Sequence, residues 1–117
     1  MVDRSLLRLA ATLVVIGEVL FAIVTLFHAD GPANNHPVVF AEYARSDDWI
    51  LVHLLQFVFM AVLLVGLLVL FVALNVRSGA LEWVGRFAAV LAAVAFALYG
   101  ALQAVDGMPL STQLLRG

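Results

Sequence analysis

The chain divides into long apolar runs separated by short polar breaks. Leu6–Phe27 is apolar apart from Arg8 near its start and Glu18 inside it, and neither Trp49–Leu74 nor Phe87–Val105 holds any Asp, Glu, Lys or Arg. A hydrocarbon core of roughly 30 Å is crossed by about 20 helical residues, so each run can span it. None of the runs alternates strictly, and backbone polar groups in lipid must bond within their own segment, which favours helices over barrel strands. The pattern predicts an all-α membrane protein: a single membrane domain over 1–117 with three transmembrane helices, near 6–27, 49–74 and 83–105. The first run is too long for a signal-peptide core of about 7–15 residues, carries Glu18 midway and lacks an A-x-A site, so it reads as a retained helix.

The polar break at 28–48 has its own grammar. Asp30–Pro37 (DGPANNHP) is turn chemistry, and Pro37 suits the first position of a short helix, where its missing N–H costs little. Val38–Arg45 fits that helix, placed on the membrane surface. Ser46 is expected to cap the second span, with Asp47 and Asp48 complementing the dipole of its first turn. In the third span Ala89, Ala93, Ala97 and Ala101 recur every fourth residue beside Gly100, a stripe expected to pack against another helix. Residues 107–117 read as a tail without regular structure.

Composition agrees with this layout. Hydrophobic residues make up 65% of the chain and charged residues 12%, too little polar surface for a soluble domain of this length. Cysteine is absent, which excludes disulfides and thiol chemistry, and no basic patch exists to bind nucleic acid. Arg4, Arg8, Arg77 and Arg86 flank one end of the spans, against Arg45 and Arg116 at the other. The positive-inside rule therefore predicts a cytoplasmic N-terminus in a multi-pass protein of the cell membrane, with the 28–48 loop outside. Tyr43 and Trp49 then lie at the outer interface and Trp83 at the inner one.

Polar side chains within spans are the best pointers to function. These are Glu18 in the first span, His53 and Gln56 in the second, and Tyr99 and Gln103 in the third, with Asp106 at its end. At about 1.5 Å per residue Glu18 lies roughly 13 Å deep, Gln56 and Tyr99 near 9–11 Å, and His53 and Gln103 near 3–6 Å. Gln56 and Tyr99 are thus the expected partners of Glu18. A charge at mid-membrane costs about 2.5–3.5 kcal/mol, so a hydrogen-bonded or neutral carboxyl is expected there. Such a group acts either as interhelical glue or as a proton- or ligand-handling cluster with His28 and His53 above it.

All three histidines fall toward the outer side. His28, His36 and His53 suggest a zinc site completed by Asp30 or Glu42, or an axial haem ligand at His53, although no tight ligand spacing supports either. No nucleophile–base pair, phosphate loop or dinucleotide fingerprint is present, so no enzymatic activity is expected.

The run from His28 to Phe57 resembles an uncharacterised family of small, chiefly actinobacterial integral membrane proteins. The matching positions are His28, Asn34, Asn35, His36, Pro37, Phe40, Glu42, Tyr43, Trp49, His53, Gln56 and Phe57, and Tyr99–Gly107 is similar to the close of that family's third span. The resemblance implies that this chain corresponds to the N-terminal half of a larger bundle, with MPLSTQLLRG departing from the pattern. It implies no activity. Separately, Gly17–Thr25 (GEVLFAIVT) is similar to the first span of small multidrug transporters, in which a membrane Glu exchanges protons for cationic drugs. The long first loop, the three spans and the lack of that family's later aromatic motifs depart from it. The sequence thus predicts a non-catalytic accessory or scaffold protein packing with itself or a membrane-protein partner. A proton-linked or ligand-binding protein using Glu18 is the alternative, beside a histidine-based metal or haem site.

Overall fold

The computed structural model describes residues 2–28, 32, 34–74 and 79–114, with side chains as far as Val105. Asp30, Arg77 and Arg116, and the Asp106 side chain, lie outside that description. The described residues form four helices: α1 (Arg4–Thr25), α2 (His36–Arg45), α3 (Trp49–Leu74) and α4 (Ala80–Leu114). Three of them, α1, α3 and the 80–105 part of α4, are long and apolar enough to cross a membrane.

Local chemistry sets the boundaries. Asp3 caps α1, its Oδ1 accepting from the Ser5 and Leu6 amides at 2.9 and 3.1 Å, so the helix starts two residues before the apolar run. At the other end the Leu26, Phe27 and His28 amides each reach back three residues, closing α1 with a tighter turn. The short helix begins at His36 with Pro37 in its first turn, two residues earlier than the sequence predicts. Ser46 does not cap α3 but ends α2: its backbone turns extended (φ −80°, ψ 110°) and its amide bonds the Tyr43 carbonyl. Asp48 precedes α3 and its carbonyl accepts the Val52 amide at 2.8 Å, so no acidic residue lies in the first turn of α3. Gly79, at φ +77°, supplies the left-handed step into α4. Past Val105, α4 runs on through Gly107 and Pro109 to Leu114, where the sequence predicts an irregular tail.

The core lies between α1 and α3. Ala10 and Gly17 on α1 face Gly66 and Ala73 on α3, all buried, and each pair is seven residues apart. Small residues on a seven-residue period let two antiparallel helices approach along a continuous seam. The approach is closest at Gly17, where a Cβ would meet the Leu63 amide nitrogen at 2.7 Å and the Phe59 carbonyl oxygen at 3.0 Å. Gly66 returns the contact against the Val14 amide nitrogen at 2.9 Å. The Asp3 amide also bonds the Ala73 carbonyl at 3.2 Å, tying the ends of the two helices.

On its other side α3 meets α4 along a thinner seam. Phe57 stacks on Phe96 (ring centroids 4.8 Å, 20°), while Phe71 sits over Gly85. The seam uses Gly85, Ala89, Ala92, Phe96, Tyr99 and Gln103, the half-buried face of α4. Within this chain only Ala89 of the expected packing stripe enters the contact, while Ala93, Ala97 and Ala101 are exposed. The aromatic rings select the face because they fill more of the gap than alanine methyls do. Exposed leucines, valines and phenylalanines cover the rest of α4.

Candidate functional site

The polar interior gathers where α1 ends and α3 begins, beneath α2. Trp49, Val52, His53 and Gln56 are the buried residues of this end of α3, and His53 and Gln56 are only 5% and 6% exposed. Because the link at 46–48 is short, α2 folds back over them, laying Tyr43 on Trp49 with centroids 4.0 Å apart and planes at 30°. His28, at the end of α1, completes the group, its ring 5.1 Å from both Trp49 and His53. The Trp49 and His53 rings are 4.1 Å apart.

Backbone geometry determines the tautomer of His53. Its Nδ1 lies 2.8 Å from the Trp49 carbonyl oxygen. A carbonyl only accepts, so Nδ1 carries a proton and donates, and Nε2 is the one ring nitrogen left to meet another group. His36 lies elsewhere, exposed and stacked on Phe40 at 6.3 Å. The expected metal set of His28, His36 and His53 is therefore not assembled: the described residues hold no group of three His, Asp or Glu placed to bind a metal ion. Glu42 is engaged with Arg45 at 3.6 Å on the surface of α2.

Gln56 forms the link between helices that its position in the span suggested, but to a different partner. Its Nε2 donates to Thr25 Oγ1 at 3.1 Å, and that hydroxyl donates to the Phe21 carbonyl at 2.8 Å. The Thr25–Gln56 pair sits about two helical turns, ~10 Å, from Glu18 along α1. Glu18 itself follows Gly17 by one position, hence about 100° around the helix from the α3 seam. It is exposed, and among the described residues it makes no hydrogen bond or ion pair.

Tyr99 and Gln103 lie on the α3-facing side of α4, away from Glu18. Among the described residues, Tyr99 Oη and Gln103 Oε1 are both buried without a hydrogen-bond partner. Tyr99 borders a cavity of about 290 Å³ with Met60, Leu63 and Phe96, and Gln103 borders one of about 320 Å³ with His53 and Phe57. The expected cluster of Glu18, Gln56, Tyr99 and Gln103 is thus divided into three places within one chain. His53 and Gln103 are brought together across a cavity, and His28 and His53 across ring contacts. Thr25 and Tyr43 are the participants that depth estimates along single helices overlooked. A hydroxyl in the last turn of the span was the available signal for Thr25.

Neither a family model, nor a characterised protein, nor a solved structure matches the chain.

Proposed function

We propose that the chain is a non-catalytic membrane subunit or scaffold that packs, through the Glu18 face of α1, against a second membrane chain, either a copy of itself or a partner. The supporting observation is an exposed carboxyl inside an apolar helix, with no hydrogen-bond or ion-pair partner among the described residues. Exposure to lipid is the least favourable setting for that group, and intramembrane ionisable residues as a rule face a bundle interior or a water-filled cavity. Ala11 and Ala22 flank Glu18 on the same face, and their small side chains allow close approach of another helix. The arginine distribution supports a cell-membrane orientation with the α2 end outside and the Glu82–Arg86 ion pair at the cytoplasmic end. Likeness to the actinobacterial family belongs to this same reading.

Because the chain has no cysteine, single-cysteine variants test the interface cleanly. Ala22→Cys should form an oxidative cross-link in native membranes, to itself or to a co-purifying chain, and Ile16→Cys, on another exposed side of α1, should not. Glu18→Leu should weaken the association about 5- to 30-fold, the range for one interhelical polar link of ~1–2 kcal/mol, while Glu18→Gln keeps most of it. A wild-type chain that stays monomeric and uncross-linked in native membranes refutes the proposal. The alternative, proton-linked handling of a cationic ligand by Glu18, requires proton uptake or release on adding tetraphenylphosphonium that Glu18→Gln abolishes.

A further inference from the structure

Glu18 borders a trough. Among the described residues α1 and α4 each pack on α3 and not substantially on each other, so a furrow runs between them over one side of α3. Helical rotation shows which side of α1 borders it. Thr25 lies seven residues beyond Glu18, two turns with about 20° of offset, so both side chains leave α1 on the same side. From that side Thr25 reaches Gln56 of α3. Gln56 is one turn from Met60 on the same face of α3. Met60, Leu63 and Leu67 in turn line the cavity of about 290 Å³ that α3 shares with Ala92 and Ala95 of α4. Glu18 and this cavity therefore lie on one side of the α1–α3 pair. The Glu18 side of α1 is one wall, α3 is the floor, and α4 is the other wall.

Depth matches as well as side. Gly17 touches Leu63, which puts Leu63 level with Glu18, and the contacts of Phe57 with Gly100 and Phe71 with Gly85 put Ala92–Ala95 across from Leu63. The trough thus presents a carboxyl beside an apolar floor and wall, within the spans. Its occupant must bring a complementary group to that level, because intramembrane carboxyls as a rule are paired. An acyl chain fills the cavity but brings no such group. A second copy inserted in the same sense brings none either: residues 15–21, 59–67 and 89–97, which lie at that level, are apolar apart from Glu18 itself. Such a copy would set a like charge against Glu18. Backbone in lipid is helical, and the small side chains of Ala92 and Ala95 allow another helix to approach α4 closely.

We propose that the trough between α1 and α4 seats one transmembrane helix of a different chain, which carries a basic side chain level with Glu18 and forms an intramembrane ion pair with it. This rests on the reading of the Glu18 face as an association surface and names the chemistry of the partner.

The test uses a synthetic leucine–alanine transmembrane helix with one central arginine flanked by cysteines, reconstituted with the full chain in phosphatidylcholine nanodiscs. Arginine keeps its charge in an apolar surround, and the chain has no cysteine of its own. Ala95 lines the trough, and Ala97, also exposed, lies about 200° around α4 from it. Under mild oxidation Ala95→Cys should form a disulfide adduct with the probe, and Ala97→Cys should not. Replacing the probe's arginine by leucine should lower the adduct yield about 5- to 30-fold, the range for one interhelical polar link. Glu18→Leu in the Ala95→Cys chain should lower it equally, with no further loss when the two changes are combined. Exchanging the charges, Glu18→Lys against a probe with central glutamate, should restore the yield, with helix content by circular dichroism unchanged. The proposal is overturned if no adduct forms, if Ala95→Cys and Ala97→Cys react alike, or if the arginine-free probe does as well. Self-cross-linking of Ala95→Cys in native membranes would put a second copy in the trough and overturn it too. Association through Ala22→Cys survives each of these results, so only its loss removes the reading of the Glu18 face itself.

Discussion

Replacing Gly17 by alanine adds one methyl group where α1 lies closest to α3. The new Cβ would stand 2.7 Å from the Leu63 amide nitrogen and 3.0 Å from both Leu63 Cα and the Phe59 carbonyl oxygen. All three are backbone atoms of a continuous helix, so no side chain can rotate away; the helices must move apart instead. That shift also loosens the reciprocal contact of Gly66 with Leu13 and Val14. Overpacking of this kind costs about 1–3 kcal/mol. Alanine's usual helix-propensity advantage of up to ~1 kcal/mol offsets part of it in water. In lipid the offset is smaller, because the separated helix is already fully hydrogen-bonded. The expected net loss is ~1–2 kcal/mol, drawn from the overpacking range. Gly100→Ala is the internal control: its nearest neighbour is the ring edge of Phe57, which can turn, so the change should be within about 0.5 kcal/mol, as for substitutions away from rigid contacts. Reversible unfolding of micellar protein by sodium dodecyl sulfate, followed through Trp49 emission, measures both variants. The reasoning fails if Gly17→Ala is as stable as wild type while Gly100→Ala is the damaging change.

Three further outcomes follow from other contacts. Thr25→Val should destabilise more than Gln56→Leu in the same unfolding assay, because it strands a buried amide donor (about 1–3 kcal/mol) whereas the second change leaves Thr25 bonded to Phe21. Removing the helix cap with Asp3→Ala should cost about 0.5–2 kcal/mol and raise amide exchange at Ser5 and Leu6. Tyr43→Ala removes the ring stacked on Trp49, so Trp49 emission should shift to the red and α2 should become susceptible to protease, with α1 and α3 unchanged.

Fold class was legible because bilayer thickness and backbone hydrogen bonding leave few options for a long uncharged run. The start and end of α3 could be read directly from the limits of its apolar stretch, Trp49 to Leu74. The short helix after the turn residues was legible for the same local reasons. Which faces meet was not. The four-residue alanine stripe reads as a packing surface, yet within this chain the assembled helices use the Gly17–Gly66 seam and leave Ala93, Ala97 and Ala101 exposed.

The polar residues show the same division. Sequence alone determined that Glu18, His53, Gln56, Tyr99 and Gln103 sit within apolar helices, because composition and spacing fix their depth. Only the tertiary structure decided their partners, since depth along an axis says nothing of rotation about it. One residue of offset, about 100°, turns Glu18 away from α3 while Gly17 faces it. The pairing register brings Gln56 to Thr25, and the rotation of α4 sets Gln103 across a cavity from His53. Helix rotation and register are set by the interlocking of whole surfaces, a property that no single segment carries.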